Sequence, residues 1–178
     1  MRAEIKSLIV AATFTAAICI GAWIKIPFLF VPLTLQVFFV NTAILTQKAR
    51  YATLSVASYM LLGLLGLPVF SGGGGPGYVL YPTFGYLVGF LLAALSSAFI
   101  DKKRVYLQSL VNEALLYLCG VLYFFLVSNF YLHNNVSVAR VLVWCFLVFI
   151  PGDLVSVILS CELVKILSRH RVLQNIPG

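Results

Sequence analysis

The sequence predicts an all-α integral membrane protein, a bundle of six transmembrane helices with both termini in the cytoplasm. Three observations predict it. Of 178 residues, 62% are apolar and 10% charged, against about half and about a quarter in a soluble domain. No water-soluble packing hides so much apolar surface behind so few charges, which excludes a cytosolic enzyme domain and a disordered chain. Second, cutting at charges, prolines and glycines leaves six apolar runs; at about 20 residues per span they fill the chain and leave no separate soluble domain. Third, the basic residues sort to one side. Arg2, Lys6, Lys48, Arg50, Lys102, Lys103, Arg104, Lys165, Arg169 and Arg171 fall at the N-terminus, the even-numbered connectors or the C-terminal end, and only Lys25 and Arg140 fall opposite. An even number of spans arranges ten against two in this way, and the positive-inside rule puts the basic side in the cytoplasm of a multi-pass cell-membrane protein. The net charge of +7 therefore reports topology and calls for no nucleic acid.

The spans are predicted at 4–25, 34–47, 51–66, 81–100, 105–130 and 138–169, as one domain over 1–178. The first follows Met1-Arg2-Ala3-Glu4-Ile5-Lys6 and reads as a retained span rather than a signal peptide, because five more apolar runs follow. The second is short and can tilt or sit within protein rather than lipid. The sixth contains Pro151-Gly152, where the missing backbone N–H predicts a kink. The connectors Ile26–Leu33 and Leu67–Tyr78 are apolar and uncharged, unlike loops washed by water, and are expected to fold down as a lid. Gly72, Gly73, Gly74 and Gly75 give the second of them backbone positions closed to other residues.

Of five acids, Glu113, Asp153 and Glu162 fall inside predicted spans, where a carboxylate costs at least a few kcal/mol unless it faces a cavity or a partner. Asp153 directly follows the Pro151-Gly152 break, with Ser156 and Ser160 on its helical face; contact with a ligand and capping of the half-helix beyond Gly152 both fit. Glu113 shares a face with Tyr117 and Gly120, or else pairs with a cation near the headgroups. Glu162 with Lys165 and Arg169 reads as an ion-pair stripe at the membrane edge. Gln36 and Asn41 are neutral polar groups suited to a ligand or to a neighbouring helix. Ala12 and Ala16 make a flat face by their spacing, for a partner or for internal packing. The four cysteines, Cys19, Cys119, Cys145 and Cys161, form no C-x-x-C pair and read as packing residues, so no metal is expected. His133 and His170 are isolated, and no nucleophile motif or nucleotide loop is present, so neither catalytic residues nor ATP hydrolysis by this chain is expected.

Several segments together resemble the BioY family, the biotin-binding S components of energy-coupling factor (ECF) vitamin transporters. They are Lys25-Ile26-Pro27 through Val31-Pro32-Leu33-Thr34-Leu35-Gln36; Leu62-Gly63-Leu64 through Leu67-Pro68-Val69-Phe70-Ser71-Gly72-Gly73; Pro82-Thr83-Phe84-Gly85-Tyr86; Tyr117-Leu118-Cys119-Gly120; and Pro151-Gly152-Asp153-Leu154. Their order and spacing match along essentially the whole chain.

The resemblance implies biotin uptake by a membrane-embedded, high-affinity binding subunit, whose pocket lies near the outer face under the two apolar loops. It implies a transmembrane T component and two cytoplasmic ATPases as partners, with Ala12 and Ala16 as the docking face; ATP is used only by those partners, and no cofactor is implied for this chain. The implied site comprises Asp153, accepting from the ureido N–H groups of biotin, with Tyr86, Thr83, Gln36, Thr34, Ser156 and the backbone of Gly73, Gly74 and Gly75 around the ring system. Two departures stand out. The family pattern P-G-D-x-x-K has Ser156 where a lysine would suit an anionic tail, leaving another cation such as Lys25 for the carboxylate, or a tail that points to water. Phe84 replaces the first glycine of T-G-G-Y. These departures keep an S component for another small vitamin as the alternative; an intramembrane lipid-modifying enzyme and a purely structural subunit are the readings from other classes.

Overall fold

The computed structural model describes residues 2–26 and 32–169; Pro27 to Val31 of the first apolar loop, and His170 and Arg171, lie outside them. Helix α1 (Arg2–Trp23) leads into strand β1 (Lys25–Ile26), which pairs antiparallel with β2 (Leu33–Thr34), Lys25 opposite Thr34. Helices α2 (Gln36–Thr46) and α3 (Ala49–Leu64) follow, then a 3-10 turn over Pro76–Leu80 and α4 (Phe84–Ser96). Helix α5 (Val105–Leu126) widens into a π turn at Val127–Tyr131. The last helical rod, 138–169, comprises α6 (Val138–Leu142), a π turn (Val143–Leu147) and α7 (Ile150–Arg169). Counting that rod once, the architecture is a six-helix bundle. Among the described residues, three helices are long and apolar enough to cross a membrane: Ala3–Trp23, Val105–Tyr131 and Val138–Arg169.

The helix ends differ from the sequence expectation for local reasons. Thr34 is drawn into the ribbon, so α2 begins at Gln36. Helix α3 stops at Leu64 because Gly66, at φ +107°, closes it: Leu67 N–H donates to Leu62 O and Gly66 N–H to Gly63 O, satisfying the last carbonyls. Helix α4 starts three residues later than expected, since Pro82 holds Tyr81 extended (ψ 137°). It ends early where Ser96 and Ser97 hydroxyls bond back to Ala93 O and Ala94 O at 2.8 and 2.7 Å, competing with the helix. The break expected at Pro151-Gly152 lies just upstream instead. Pro151 sits inside α7, and the regular pattern is lost over Val143–Phe149, where the proline ring would crowd the carbonyl of Leu147 and can donate nothing to it.

Helix α2 spans only about 16 Å at 1.5 Å per residue, roughly half the thickness of a bilayer core. Its buried residues run from Val40 to Leu45 without a gap, so it is a central post sheathed by protein. Beyond its first turn, its polar side chains are matched internally. Asn41 Nδ2 donates to Ser160 Oγ at 2.6 Å and to Ser109 Oγ at 3.0 Å, and Asn112 Nδ2 donates to Asn41 Oδ1 at 2.7 Å. Gln108 extends the chain to Asn112 Oδ1 and Ser96 Oγ. One network thus joins four helices, α2, α4, α5 and α7. Lys102 Nζ adds a bond to Ile44 O at 2.6 Å, supplying a donor and a positive charge at the C-terminal end of α2. A second set ties α1 to α3: Ser55 Oγ donates to Ala11 O and Thr15 Oγ1 to Ser55 O, both at 3.1 Å.

Helices α4 and α5 approach through glycine. A Cβ on Gly85 would meet Tyr123 Cβ at 2.2 Å and Cys119 O at 2.7 Å; one on Gly89 would meet Leu116 Cα at 2.8 Å; one on Gly120 would meet the Tyr86 ring at 2.3 Å. Small residues four apart permit this backbone approach, and where no hydrophobic force separates helix from lipid, such packing supplies much of the attraction. The outward faces carry large exposed apolar side chains such as Leu110, Leu118 and Leu154, the surface that acyl chains cover. Gly89→Val is expected to lower stability by about 1–3 kcal/mol through overpacking, read as a drop in the thermal unfolding midpoint in detergent, whereas Gly77→Ala, with nothing within 4 Å of its Cβ position, leaves it unchanged.

Candidate functional site

The glycine-rich connector is ordered and shapes the mouth of the bundle. Phe70 and Gly73 exchange backbone hydrogen bonds at 2.9 and 3.1 Å. Gly73 and Gly75 hold φ of +123° and +108°, a region that favours glycine. Gly74 lies so close to Leu67 that a Cβ would meet its carbonyl oxygen at 2.1 Å. This turn drives Phe70 inward, 2% exposed, edge-on to Tyr59 at 5.4 Å and against Tyr78 at 4.5 Å between ring centroids. Gly63 gives Phe70 its room, since a Cβ there would fall 2.1 Å from the ring. The ends of the two connectors are joined as well: Trp23 Nε1 donates to Pro68 O at 2.8 Å, and Lys25 Nζ donates to Ser71 O.

Beneath this plug lies a narrow cavity of about 60 Å³, partly open at the mouth. Its walls come from β2 and the start of α2 (Thr34, Gln36), α3 (Tyr59), the plug (Phe70), α4 (Tyr86) and α7 (Asp153). Most of the lining is aromatic or aliphatic, with a few polar groups converging on it.

Asp153 stands in the first turn of α7, 6% exposed. Its Oδ2 accepts a hydrogen bond from Tyr117 OH on α5 at 2.5 Å. Tyr86 owes its position to the helix break: Tyr86 OH donates to Cys145 O at 2.7 Å, a carbonyl within the π turn. The ring, seated on Gly120, is left to face the cavity. Thr83 also lines it, with Oγ1 3.1 Å from Tyr78 OH.

The fold thus brings five of the residues singled out from sequence to one cavity: Asp153, Tyr86, Gln36, Thr34 and Thr83. Gly73, Gly74 and Gly75 stand behind the wall and shape the turn that presents Phe70 and Ser71. Ser156 is buried one helical turn beyond Asp153, 5% exposed, outside the lining. Lys25 is exposed on β1 and engaged with Ser71. Phe84 packs toward Tyr123, centroids 5.9 Å apart, and not into the cavity. Ala12 and Ala16 line a groove between α1 and α3 together with Leu54, Ser58 and Leu62. Asn41 belongs to the helix network rather than to the cavity. Glu113 lies in a groove between α5 and α7 with Tyr117 and Asp153, and Glu162 pairs with Lys165 at 2.9 Å. The cysteines that read as packing residues are free thiols, Cys145 and Cys161 buried. Among the described residues, no three His, Cys, Asp or Glu side chains gather as a metal site requires.

Tyr59 and Phe70 enter the site without a sequence signal strong enough to mark them. Tyr59 is one aromatic among apolar neighbours, and its hydroxyl matters only once the fold has buried it. With Gln36 it forms a further feature: Gln36 Nε2 and Tyr59 OH are buried and have no hydrogen-bond partner among the described residues. Both belong to the cavity wall.

The sequence model described as the BioY family matches residues 1–172. The Biotin transporter BioY of Thermotoga maritima is 38% identical over 173 residues, covering 94% of this chain and 98% of that protein. The Probable biotin transporter BioY of Lysinibacillus sphaericus is 36% identical, covering 94% and 91%. Among solved structures, the S-component for biotin from an ECF-type ABC transporter superposes with a TM-score of 0.71 at 31% identity, covering 93% of this chain and 92% of that one. Matched from the first helix to the last, with its motif aspartate and tyrosine on one capped cavity, this chain belongs to the BioY family.

Proposed function

We propose that the chain captures biotin from outside the cell membrane and delivers it to the cytoplasm as the S component of an ECF transporter. The observation that carries this reading is a buried carboxylate, Asp153, on the wall of an aromatic-lined cavity beneath an apolar plug. Biotin supplies what such a site lacks. Its two ureido N–H groups donate to a carboxylate in charge-assisted hydrogen bonds, and its bicycle covers Tyr86 and Phe70. A buried carboxylate with one protein donor among the described residues, Tyr117, is incompletely compensated, so a ligand that donates twice stabilises the bundle as it binds.

The chain performs no chemistry on its ligand. The motive step is a reorientation of the bundle driven by ATP hydrolysis on two cytoplasmic ATPases through a transmembrane T component. The groove between α1 and α3, floored by Ala12 and Ala16, is the proposed seat of the T component, since small residues there let another helix approach closely. Six passes with both termini in the cytoplasm follow from the ten-to-two placement of basic residues.

Equilibrium binding of labelled biotin to the purified chain in detergent tests the ligand, with a panel of other vitamins as competitors. Asp153→Asn is expected to weaken binding at least about tenfold, the loss of a charged acceptor; unchanged affinity removes Asp153 from the site. Ala16→Trp is expected to leave biotin affinity intact while abolishing co-purification of the energising subunits from co-expressing cells.

A further inference from the structure

We infer that the carboxylate tail of the ligand is held by neutral donors, Gln36 Nε2 and Tyr59 OH at the N-terminal end of α2, and not by a lysine. This rests on the biotin reading above and adds to it the orientation of the ligand and the residues that select for an acid.

Both donors are buried, Gln36 5% and Tyr59 0% exposed, and both line the cavity; the two side chains adjoin each other, but neither Nε2 nor the phenol makes a well-formed hydrogen bond among the described residues. Unsatisfied buried polar groups are rare and costly; two of them on one wall point to a group that completes them. The start of α2 adds to their field. This 11-residue helix has no acid in its first turn and no side-chain hydrogen bond from its N-cap; Gln36 N–H makes a long bond to Thr34 Oγ1 at 3.4 Å, and a neutral hydroxyl offsets little of the partial positive charge of the turn. Amide, phenol and helix end all favour an anion or a strong acceptor.

The opposite polarity stands on α7. Asp153 accepts and repels a second carboxylate, which assigns the N–H-bearing ring to Asp153 and the acid to the α2 and α3 wall. The cations named from sequence do not compete for it. Lys25 is exposed and spent on Ser71 O, and the place of the family lysine is taken by Ser156, buried outside the lining. Loss of the lysine is thereby offset by dipoles already present.

Biotin and its uncharged primary amide, biotinamide, titrated by calorimetry into the purified chain and its variants, test the assignment. The unaltered protein is expected to prefer biotin. Tyr59→Phe and Gln36→Met are each expected to weaken biotin about tenfold and biotinamide by less than about threefold, narrowing the preference; Gln36→Glu is expected to invert it. Lys25→Gln leaves the ratio of the two ligands unchanged. Equal weakening of both ligands in Tyr59→Phe and Gln36→Met would put these residues on the ring or in the fold rather than on the tail and overturn the inference, as would loss of the preference in Lys25→Gln. Failure of the unaltered protein to bind either ligand overturns the biotin reading itself, and this assignment with it.

Discussion

A proline that cannot donate governs the outer half of this bundle. In a membrane there is no water to satisfy a freed carbonyl, so an interrupted helix must find donors within the protein. Pro151 disturbs the helix over Val143–Phe149, and the phenol of Tyr86 takes up Cys145 O. That bond anchors α4 to the last rod and turns the Tyr86 ring toward the cavity. The helix that restarts beyond the break carries Asp153 in its opening turn, where the fold brings it to Tyr117. The motif that breaks the helix therefore also builds two walls of the site.

The two halves of the bundle are held by different means. Around Asn41, amides and hydroxyls from four helices lock together with every contact at 3.2 Å or less, an arrangement that fixes register because a shifted helix would leave several polar groups unmatched at once. Nearer the mouth the joints are apolar and glycine-lined, Gly85 and Gly89 against α5 and Gly63 against Phe70. Shape decides most of the fit there, and the plug is held by ring contacts, a handful of backbone hydrogen bonds and the side chains of Trp23 and Lys25. Such a division suits a protein whose outer end must admit a guest while its inner end keeps its form.

Much of this was legible in the sequence. Helix count followed from apolar runs and basic connectors, and Asp153 stood out because a carboxylate in an apolar run needs a reason. What stayed hidden depends on atoms meeting across the fold. The glycine tract announced a backbone that other residues cannot follow, but only the fold shows those glycines standing behind the wall and Phe70 forming it. The spacing that marks Ala12 and Ala16 also marks Gly85 and Gly89, and spacing cannot say which pair meets a helix of its own chain. Gln36 and Asn41 are alike as isolated amides five residues apart; one faces the cavity and the other completes a network, a difference set by which neighbours α2 acquires.

The bonds from Trp23 to Pro68 and from Lys25 to Ser71 have a kinetic corollary. They splice the exit of the first helix to the aromatic plug, so the plug does not swing clear while both bonds hold. Entry is then a concerted event in which both splices part, each exchange for water costing about 1 kcal/mol, small enough for thermal motion to supply without fuel. In the proposed transport cycle, the nutrient's arrival is thus separated from its onward passage, the step assigned to nucleotide hydrolysis on partner subunits.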